Sequence, residues 1–282
     1  MVIAVIGLLS SIIFAITSGT REQGRIAKGL YFSQHLHNSL GSYAAGIWNF
    51  DEGSGATAND TSGWDNNGTL VNSPTWRCAS TDAGYTPSGQ GCSLEFNGVD
   101  DYVNCGNPAS LAGGNTGTVE TWIKPNGTPL DGTCVVKKGQ NCGWGSGTDG
   151  YGIVYTSSAW RGTAQSNNSA NFVTFTSSLS SGWNHLVFTW VQEGQHTAYL
   201  NGVKVNEKTL DVGASSNYGL AIGHDGRNIS PHFFNGYIDE VRIYATALTV
   251  SEIQSRYCAG LYKLLVKDQI TQDEYQQRLA ML

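Results

Sequence analysis

Apolar and polar residues alternate along most of the chain, over residues 46–244. The alternation is regular over residues 119–123 and again over residues 185–191. A period of two is typical of strands that bury one face. Asn201 and Gly202 separate two such stretches, and this dipeptide predicts a tight hairpin turn. Frequent strands with no helical segments between them predict an antiparallel sandwich or barrel.

The N-terminal part of the chain has a different pattern. Residues 1–20 contain no Asp, Glu, Lys or Arg, and the apolar run over residues 1–18 is at the lower limit for crossing a bilayer. Beyond it, apolar residues recur near the helical period as far as Ala44. We therefore predict one long helix over residues 1–45.

The C-terminal part also has a helical pattern. Thr249 and Thr271 each precede a glutamate by three residues, which is the capping-box signature of a helix start. We predict a short helical hairpin over residues 249–282, after a β-sandwich over residues 46–248.

The composition agrees with a strand-rich domain. Only 13% of the residues are charged, against roughly 25% in a typical soluble domain. The formal net charge is −6, and no dense run of Lys and Arg occurs. A surface that binds nucleic acid needs clustered basic residues, so we expect no nucleic-acid partner.

Six cysteines indicate the compartment. None forms a Cys-x-x-Cys motif, and an even number in a glycine-rich, strand-rich chain predicts three disulfides and an oxidising environment. Two pairs are close in sequence, and each would close a glycine-rich loop. We predict the pairs Cys78–Cys92, Cys134–Cys142 and, from the remaining two, Cys105–Cys258.

Residues 2–29, VIAVIGLLSSIIFAITSGTREQGRIAKG, resemble the N-terminal helix of type IV pilins and type II secretion pseudopilins. The resemblance implies an anchor in a membrane or filament, with other pilin-like subunits as partners. Arg21, Arg25 and Lys28 follow the apolar run, and the positive-inside rule would then place the remainder in the cytoplasm. Because the cysteines indicate an oxidising compartment instead, we expect a basic leader and a processing site before Met1.

The strand region carries a second resemblance. Its motifs are GIWNFDEGSG at residues 46–55, FNGVDDYV at 96–103, GWNHLV at 182–187 and FNGYIDEVRIY at 234–244. In this order they resemble a laminin-G-like domain of the concanavalin A-like lectin/glucanase type. The resemblance implies a mainly β fold, a two-sheet antiparallel jelly-roll sandwich. It implies no activity, since this fold hosts lectins, adhesins, hydrolases and spacers.

The carboxylates do not indicate an enzyme. A retaining glycosidase needs two carboxyl groups about 5 Å apart, and alternate strand residues share a face. The only comparable stretch places Asp239 and Glu240 side by side, with Arg242 where a further acid would be needed. We therefore predict that the chain is not an enzyme.

Oxygen-rich turns raise the possibility of calcium. Relatives in the resembled family often hold one structural Ca²⁺, and this ion takes six to eight oxygen ligands. If the period of two holds, Asp239 points inward and needs a partner. The candidate ligands are Asp60, Asp239, Asn67 and Asp51. Alternatively, Asp60 and Asn67 only form a turn by bonding their own backbone.

Sugar recognition would use aromatic rings on loops. Trp64, Trp144, Tyr151, Trp160 and Tyr218 lie in Gly-, Ser- and Asn-rich sequence and are the candidate rings. Alternatively, these rings fill the sandwich, as we expect for Trp48, Trp122 and Trp190.

These patterns together predict a pilin-like or pseudopilin-like surface subunit. It would be anchored in the membrane or assembled in a filament, with its sandwich outside the cell or in the periplasm. The expected role is adhesion or glycan recognition. A structural filament subunit without a ligand is the alternative, and a membrane-anchored glycan-active enzyme is disfavoured by the missing carboxylate pair.

Overall fold

The computed structural model describes residues 41–79, 91–140, 142, 149–165, 172–210, 214, 216–225 and 232–282. Residues 1–40 of the helix predicted over residues 1–45 lie outside this part. The described residues form two antiparallel sheets and two C-terminal helices. The predicted jelly-roll sandwich and the helical hairpin are confirmed.

The first sheet has eight strands. Two of them pair with the same edge of one long strand, one after the other along its length. In spatial order the strands are β14 (Val203–Leu210), β13 (Gly194–Leu200), β12 (Asn184–Val191), β7 (Thr116–Pro125), β16 (Asn235–Tyr244), β5 (Ser93–Asn97) and β4 (Thr75–Arg77), with β1 (Ala44–Trp48). Asn201 and Gly202 both have positive φ at the β13–β14 turn, so the predicted hairpin is confirmed.

The second sheet also has eight strands. In spatial order they are β11 (Phe172–Thr174), β10 (Ala159–Gln165), β9 (Gly150–Thr156), β8 (Thr133–Lys138), β15 (Leu220–Ile222), β6 (Tyr102–Asn104), β3 (Gly68–Val71) and β2 (Thr57–Ala58).

The core lies between the sheets and follows the alternation of the sequence. Along β12, Leu186, Phe188 and Trp190 point into the sandwich, whereas His185 and Val187 lie on the opposite face. We call this opposite side the outer face of the first sheet. Both faces of β12 are buried, one in the sandwich core and the other on the outer face, and the period of two separates the residues of the two faces.

The helical hairpin covers that outer face. Helix α1 (Val250–Val266) begins at Thr249, whose side chain completes the predicted capping box with Glu252. Helix α2 (Gln272–Leu279) follows. A Cβ on Gly260 would lie 2.4 Å from the ring of Trp122, so only glycine lets α1 approach the sheet this closely.

The predicted N-terminal helix does not reach Ala45. A short 3-10 turn, Gly41–Tyr43, leads into β1, which begins at Ala44 and pairs with the end of β16. Backbone pairing with β16 therefore decides the conformation of residues 44–45, which the sequence pattern alone assigned to a helix. Among the described residues, no helix is long and apolar enough to span a membrane.

Two predicted disulfides, Cys78–Cys92 and Cys134–Cys142, are confirmed. The predicted Cys105–Cys258 bond is wrong, since these two residues are not joined. Cys105 lies in the core between the sheets, whereas Cys258 belongs to α1 on the outer face of the first sheet. The first sheet therefore separates the two sulfur atoms.

Candidate functional site

An open groove of about 800 Å³ lies at one end of the sandwich. Three connections form its walls: the loop after β7, the tight β9–β10 turn, and the segment between β11 and β12. The lining residues are Pro125, Gly127, Thr128, Pro129, Tyr155, Ser158, Ala159, Trp160 and residues 174–181. Its size is within the range of about 300–1,000 Å³ that is usual for ligand pockets.

Aromatic rings line one side of the groove. Trp160 is a predicted ligand-binding ring, and the structure places it here with 8% of its surface exposed. Its ring meets that of Tyr155 edge-on at 5.1 Å and packs at 6.4 Å from that of Phe234 in the core. Core packing therefore holds the Trp160 ring in place. The Tyr155 ring is only partly buried, so more of its surface is exposed to solvent in the groove.

Residues 176–182, which we call the serine loop, form the opposite side. Ser177, Ser178, Ser180 and Ser181 are exposed, and Leu179 anchors the loop by packing against the core. A serine side chain carries one donor and two acceptor positions. The Ser180 hydroxyl donates to the Asn184 side chain at 3.1 Å, so the loop offers the hydroxyl groups of Ser177, Ser178 and Ser181 to a bound molecule.

Asn184 and Arg278 hold the base of the serine loop. The Asn184 amide donates to the carbonyl oxygens of Ser180 (3.0 Å) and Gly182 (2.8 Å) and accepts from the Ser180 N–H (2.9 Å). Arg278 of α2 donates to the carbonyl of Trp183 at 3.0 Å in a buried position. The C-terminal hairpin thus contacts the chain directly beside the loop.

The other predicted rings that the structure describes do not line this groove. Tyr151 was expected on the surface, but it is fully buried, stacks on Trp190 at 5.1 Å and donates its hydroxyl to the Leu111 carbonyl. Its position as an inward residue of β9 explains this. Trp64 (61% exposed) and Tyr218 (44%) are on the surface elsewhere. Trp144 lies outside the described residues.

Asp60 and Asn67 form a self-contained turn. The Asp60 carboxylate accepts hydrogen bonds from the Ile47, Ser62 and Asn66 N–H groups and from the Ser62 hydroxyl, at 2.7–2.9 Å. Asn67 accepts from the Asp60 N–H at 2.8 Å. These contacts match the alternative reading of Asp60 and Asn67 as turn formers.

The inward orientation expected for Asp239 is wrong. A bulge follows Asp239, where Glu240 has a φ of 49° and two residues of β16 lie opposite one residue of β7. Asp239 pairs with Trp122 and therefore lies on the outer face, where its carboxylate accepts from the Glu240 N–H. Asp51 is partly exposed. Among the described residues, no three His, Cys, Asp or Glu side chains are grouped for a metal.

Sequence reasoning missed a buried charged cluster between the outer face and α1. Its members are Glu120, His185, Glu240, Arg242, Arg256 and Lys263. Glu120 lies 3.0 Å from His185 Nε2, 3.5 Å from Arg242 Nη1 and 3.6 Å from Arg256 Nε. Glu240 pairs with Arg242 at 3.0 Å and with Lys263 at 3.3 Å. The cluster holds α1 on the sheet by charge pairing.

The pKa of Glu120 reflects this cluster. Burial by itself would raise this pKa, but the charge of Arg256, the hydrogen bond with His185 and the charge of Arg242 together lower it to about 2. Burial by itself would also raise the pKa of Glu240. The positive charges of Arg242 and Lys263 outweigh burial, and the pKa is lowered. Both carboxylates are therefore ionised at neutral pH.

The fold and the groove define a concanavalin A-like sandwich with a solvent-open, hydroxyl-rich cleft. Residues 97–254, more than half of the chain, match the Laminin_G_3 family of the concanavalin A-like lectin/glucanases superfamily. The chain belongs to this family. No curated protein is similar enough in sequence to match this chain.

Several solved structures share the fold. Domain 4 of AbnA, a GH43 extracellular arabinanase from Geobacillus stearothermophilus solved with arabinotriose, has a TM-score of 0.55 and 19% identity, with 75% of this chain and 97% of that chain covered. Botulinum neurotoxin type C, whose cell entry depends on two ganglioside molecules, has a TM-score of 0.56 and 13% identity, with 78% and 52% covered.

A third similar structure is an enzyme. Trypanosoma rangeli sialidase, in complex with a difluorinated nononic acid, has a TM-score of 0.55 and 15% identity, with 82% of this chain and 38% of that chain covered. The chain thus spans about half of the toxin structure and less of the sialidase. At these identities the likeness concerns the fold alone.

Proposed function

We propose that this chain is a non-enzymatic glycan-binding module whose binding site is the groove beside Trp160 and the serine loop. The observation that carries the proposal is the pairing of aromatic and hydroxyl side chains across one open cleft. Sugar rings present apolar C–H faces that pack on aromatic rings and hydroxyls that pair with serine and threonine. The sugar and ganglioside ligands of similarly folded proteins support this choice of ligand class.

The described carboxylates support binding rather than catalysis. Among the described residues that line the groove there is no Asp or Glu, so these residues supply no glycosidase pair. The adjacent pair Asp239 and Glu240 lies on the outer face, engaged in the bulge and the charged cluster.

A glycan array with the full chain tests this proposal. Ser178→Trp places a large ring inside the groove, and we expect it to abolish the binding seen with the natural chain. Ser251→Trp, at an exposed position of α1, is the matched control and should bind normally. Equal binding by both variants, or no glycan bound by the natural chain, would contradict the proposal.

The finer role proposed is a surface subunit anchored by its apolar N-terminal segment, with the sandwich outside the cell or in the periplasm. The uncharged run over residues 1–18 and the two disulfides support it. An arginine in a membrane-spanning segment costs about 2.5–3.5 kcal/mol. Leu9→Arg should therefore shift the chain from the membrane fraction to the soluble fraction, whereas Leu9→Ala should not.

A structural filament subunit without a ligand is the second candidate, favoured by the pilin-like pattern of residues 2–29. This candidate predicts that the chain assembles into filaments and binds no glycan on the array.

A further inference from the structure

We infer that the groove selects neutral saccharides and does not recognise sialylated, sulfated or uronic-acid glycans. This inference rests on the proposed function and narrows its ligand class. It starts from the charge of the groove: among the sixteen lining residues that the structure describes there is no Asp, Glu, Lys, Arg or His. A ligand carboxylate or sulfate would lose its water without gaining a cationic partner there.

The cost of removing water from an anionic ligand makes the groove selective for neutral sugars. Taking an ionised group out of water is costly unless a charge or several hydrogen bonds replace the solvent. Proteins that recognise carboxylates usually supply an arginine in bidentate contact. Serine and threonine hydroxyls instead match the hydroxyls of an uncharged sugar in both donor and acceptor roles.

Two charged side chains beside the groove have protein partners of their own. Asp131 accepts a hydrogen bond from the backbone N–H of Ser157 at the β9–β10 turn. Arg278 donates to the Trp183 carbonyl and pairs with Glu274 at 2.6 Å, so its guanidinium is occupied behind the serine loop. Asp131 keeps its negative charge in this contact, which disfavours an anionic sugar, and the Arg278 guanidinium is engaged by protein groups.

A peptide is a poorer occupant of the same groove. Edge strand β11 would be the place for an added peptide strand. The Thr174 carbonyl at its end accepts a hydrogen bond from the Asn206 side chain at 3.0 Å, and Thr176 donates to the Val205 carbonyl at 2.7 Å. Contacts with β14 thus occupy the end of this edge and leave less of it for an added peptide strand.

The test uses the full chain and matched pairs of glycans that differ only by an acidic residue, such as a neutral galactoside and its sialylated form. We expect the neutral member of each pair to bind and the acidic member to bind clearly more weakly or not at all. Because no ion pair contributes, affinity for the neutral member should change less than about twofold between about 50 mM and about 500 mM NaCl.

A charge placed in the groove provides the matched variant. Ser178→Arg should raise the affinity for the acidic members and make it fall with salt, whereas Ser251→Arg on α1 should change neither. Ser178 is exposed, so its substitution leaves the core intact.

Three outcomes are possible. Neutral preference with little salt dependence supports the inference. Equal or tighter binding of the acidic members by the natural chain, or binding lost in salt, overturns it while leaving glycan recognition in place. Binding of no glycan at all overturns the proposed function, and the inference with it.

Discussion

The carboxylate of Glu120 lies buried between two arginines and a histidine, beneath α1. Removing its charge takes the acidic partner from Arg256 and leaves Arg242 with Glu240 alone, and breaking a buried pair typically costs about 3–5 kcal/mol. We therefore expect Glu120→Gln to lower the free energy of unfolding by this order in denaturant titration. Glu207→Gln, in an exposed pair with Lys204, is the control and should change it by about 0.5 kcal/mol or less.

Acid should destabilise the fold through the same cluster. The pKa of Glu120 is about 2 when folded, against an ordinary value of 4.5. A carboxylate with a lowered folded pKa stabilises the protein above its unfolded pKa and loses that contribution as the pH falls. Thermal melts should therefore show the melting temperature dropping between about pH 4.5 and about pH 2. A Glu120→Gln chain with an equally steep drop would contradict this origin.

Cys105 should carry a protected thiol. It is buried in the core, and burial raises its pKa, so the reactive thiolate is scarce. We expect iodoacetamide to leave Cys105 unmodified in the native chain and to label it once the chain is denatured. Non-reducing peptide mapping should find the Cys78–Cys92 and Cys134–Cys142 links. A Cys105–Cys258 link would contradict the structure.

The orientation and contacts of a residue could not be predicted from the sequence where they depend on residues distant in the chain. A period of two placed Asp239 inward, but the bulge at Glu240 reverses it, and nothing local in the sequence marks that bulge. Glu120, His185 and Arg242 meet only because β7, β12 and β16 are neighbours. The sequence held one signal for the cluster. These polar residues lie on the outer face of their strands, and an amphipathic helical tail follows that could cover this face.

At the scale of elements, α2 positions the serine loop. Arg278→Gln removes the buried hydrogen bond to the Trp183 carbonyl, and an unsatisfied buried group costs about 1–3 kcal/mol. We expect faster hydrogen exchange over residues 177–183 and weaker glycan binding, with exchange in β9 unchanged. Glu274→Gln removes only the partner of Arg278, so it should affect both readouts less. Uniformly faster exchange would indicate a general loss of stability instead.

Elements with local signals were predictable from the sequence. Thr249 with Glu252 marks the start of α1, and Asn201-Gly202 marks the β13–β14 turn. Residues 44–45 were misassigned because alanines suit a helix, and only pairing with β16 makes them a strand. The groove was missed because its three walls come from connections far apart in the chain.

At the scale of the whole molecule, calcium binding stays a prediction. An ion bound at 100 times its Kd would add about 2.7 kcal/mol, which raises the melting temperature by a few degrees in a chain of this size. Melts of the full chain in calcium and in chelator test it, with Asp239→Asn expected to remove any difference. Equal melting temperatures would leave Asp60 and Asn67 as turn formers only.

The central claim is that one groove of the sandwich binds glycan. The most direct measurement is a crystal structure of the chain with the tightest neutral glycan from the array. We expect the sugar to lie against Tyr155 and Trp160, with hydroxyl contacts to the serine loop. A sugar bound instead at Trp64 or Tyr218, with the groove empty, would contradict the account.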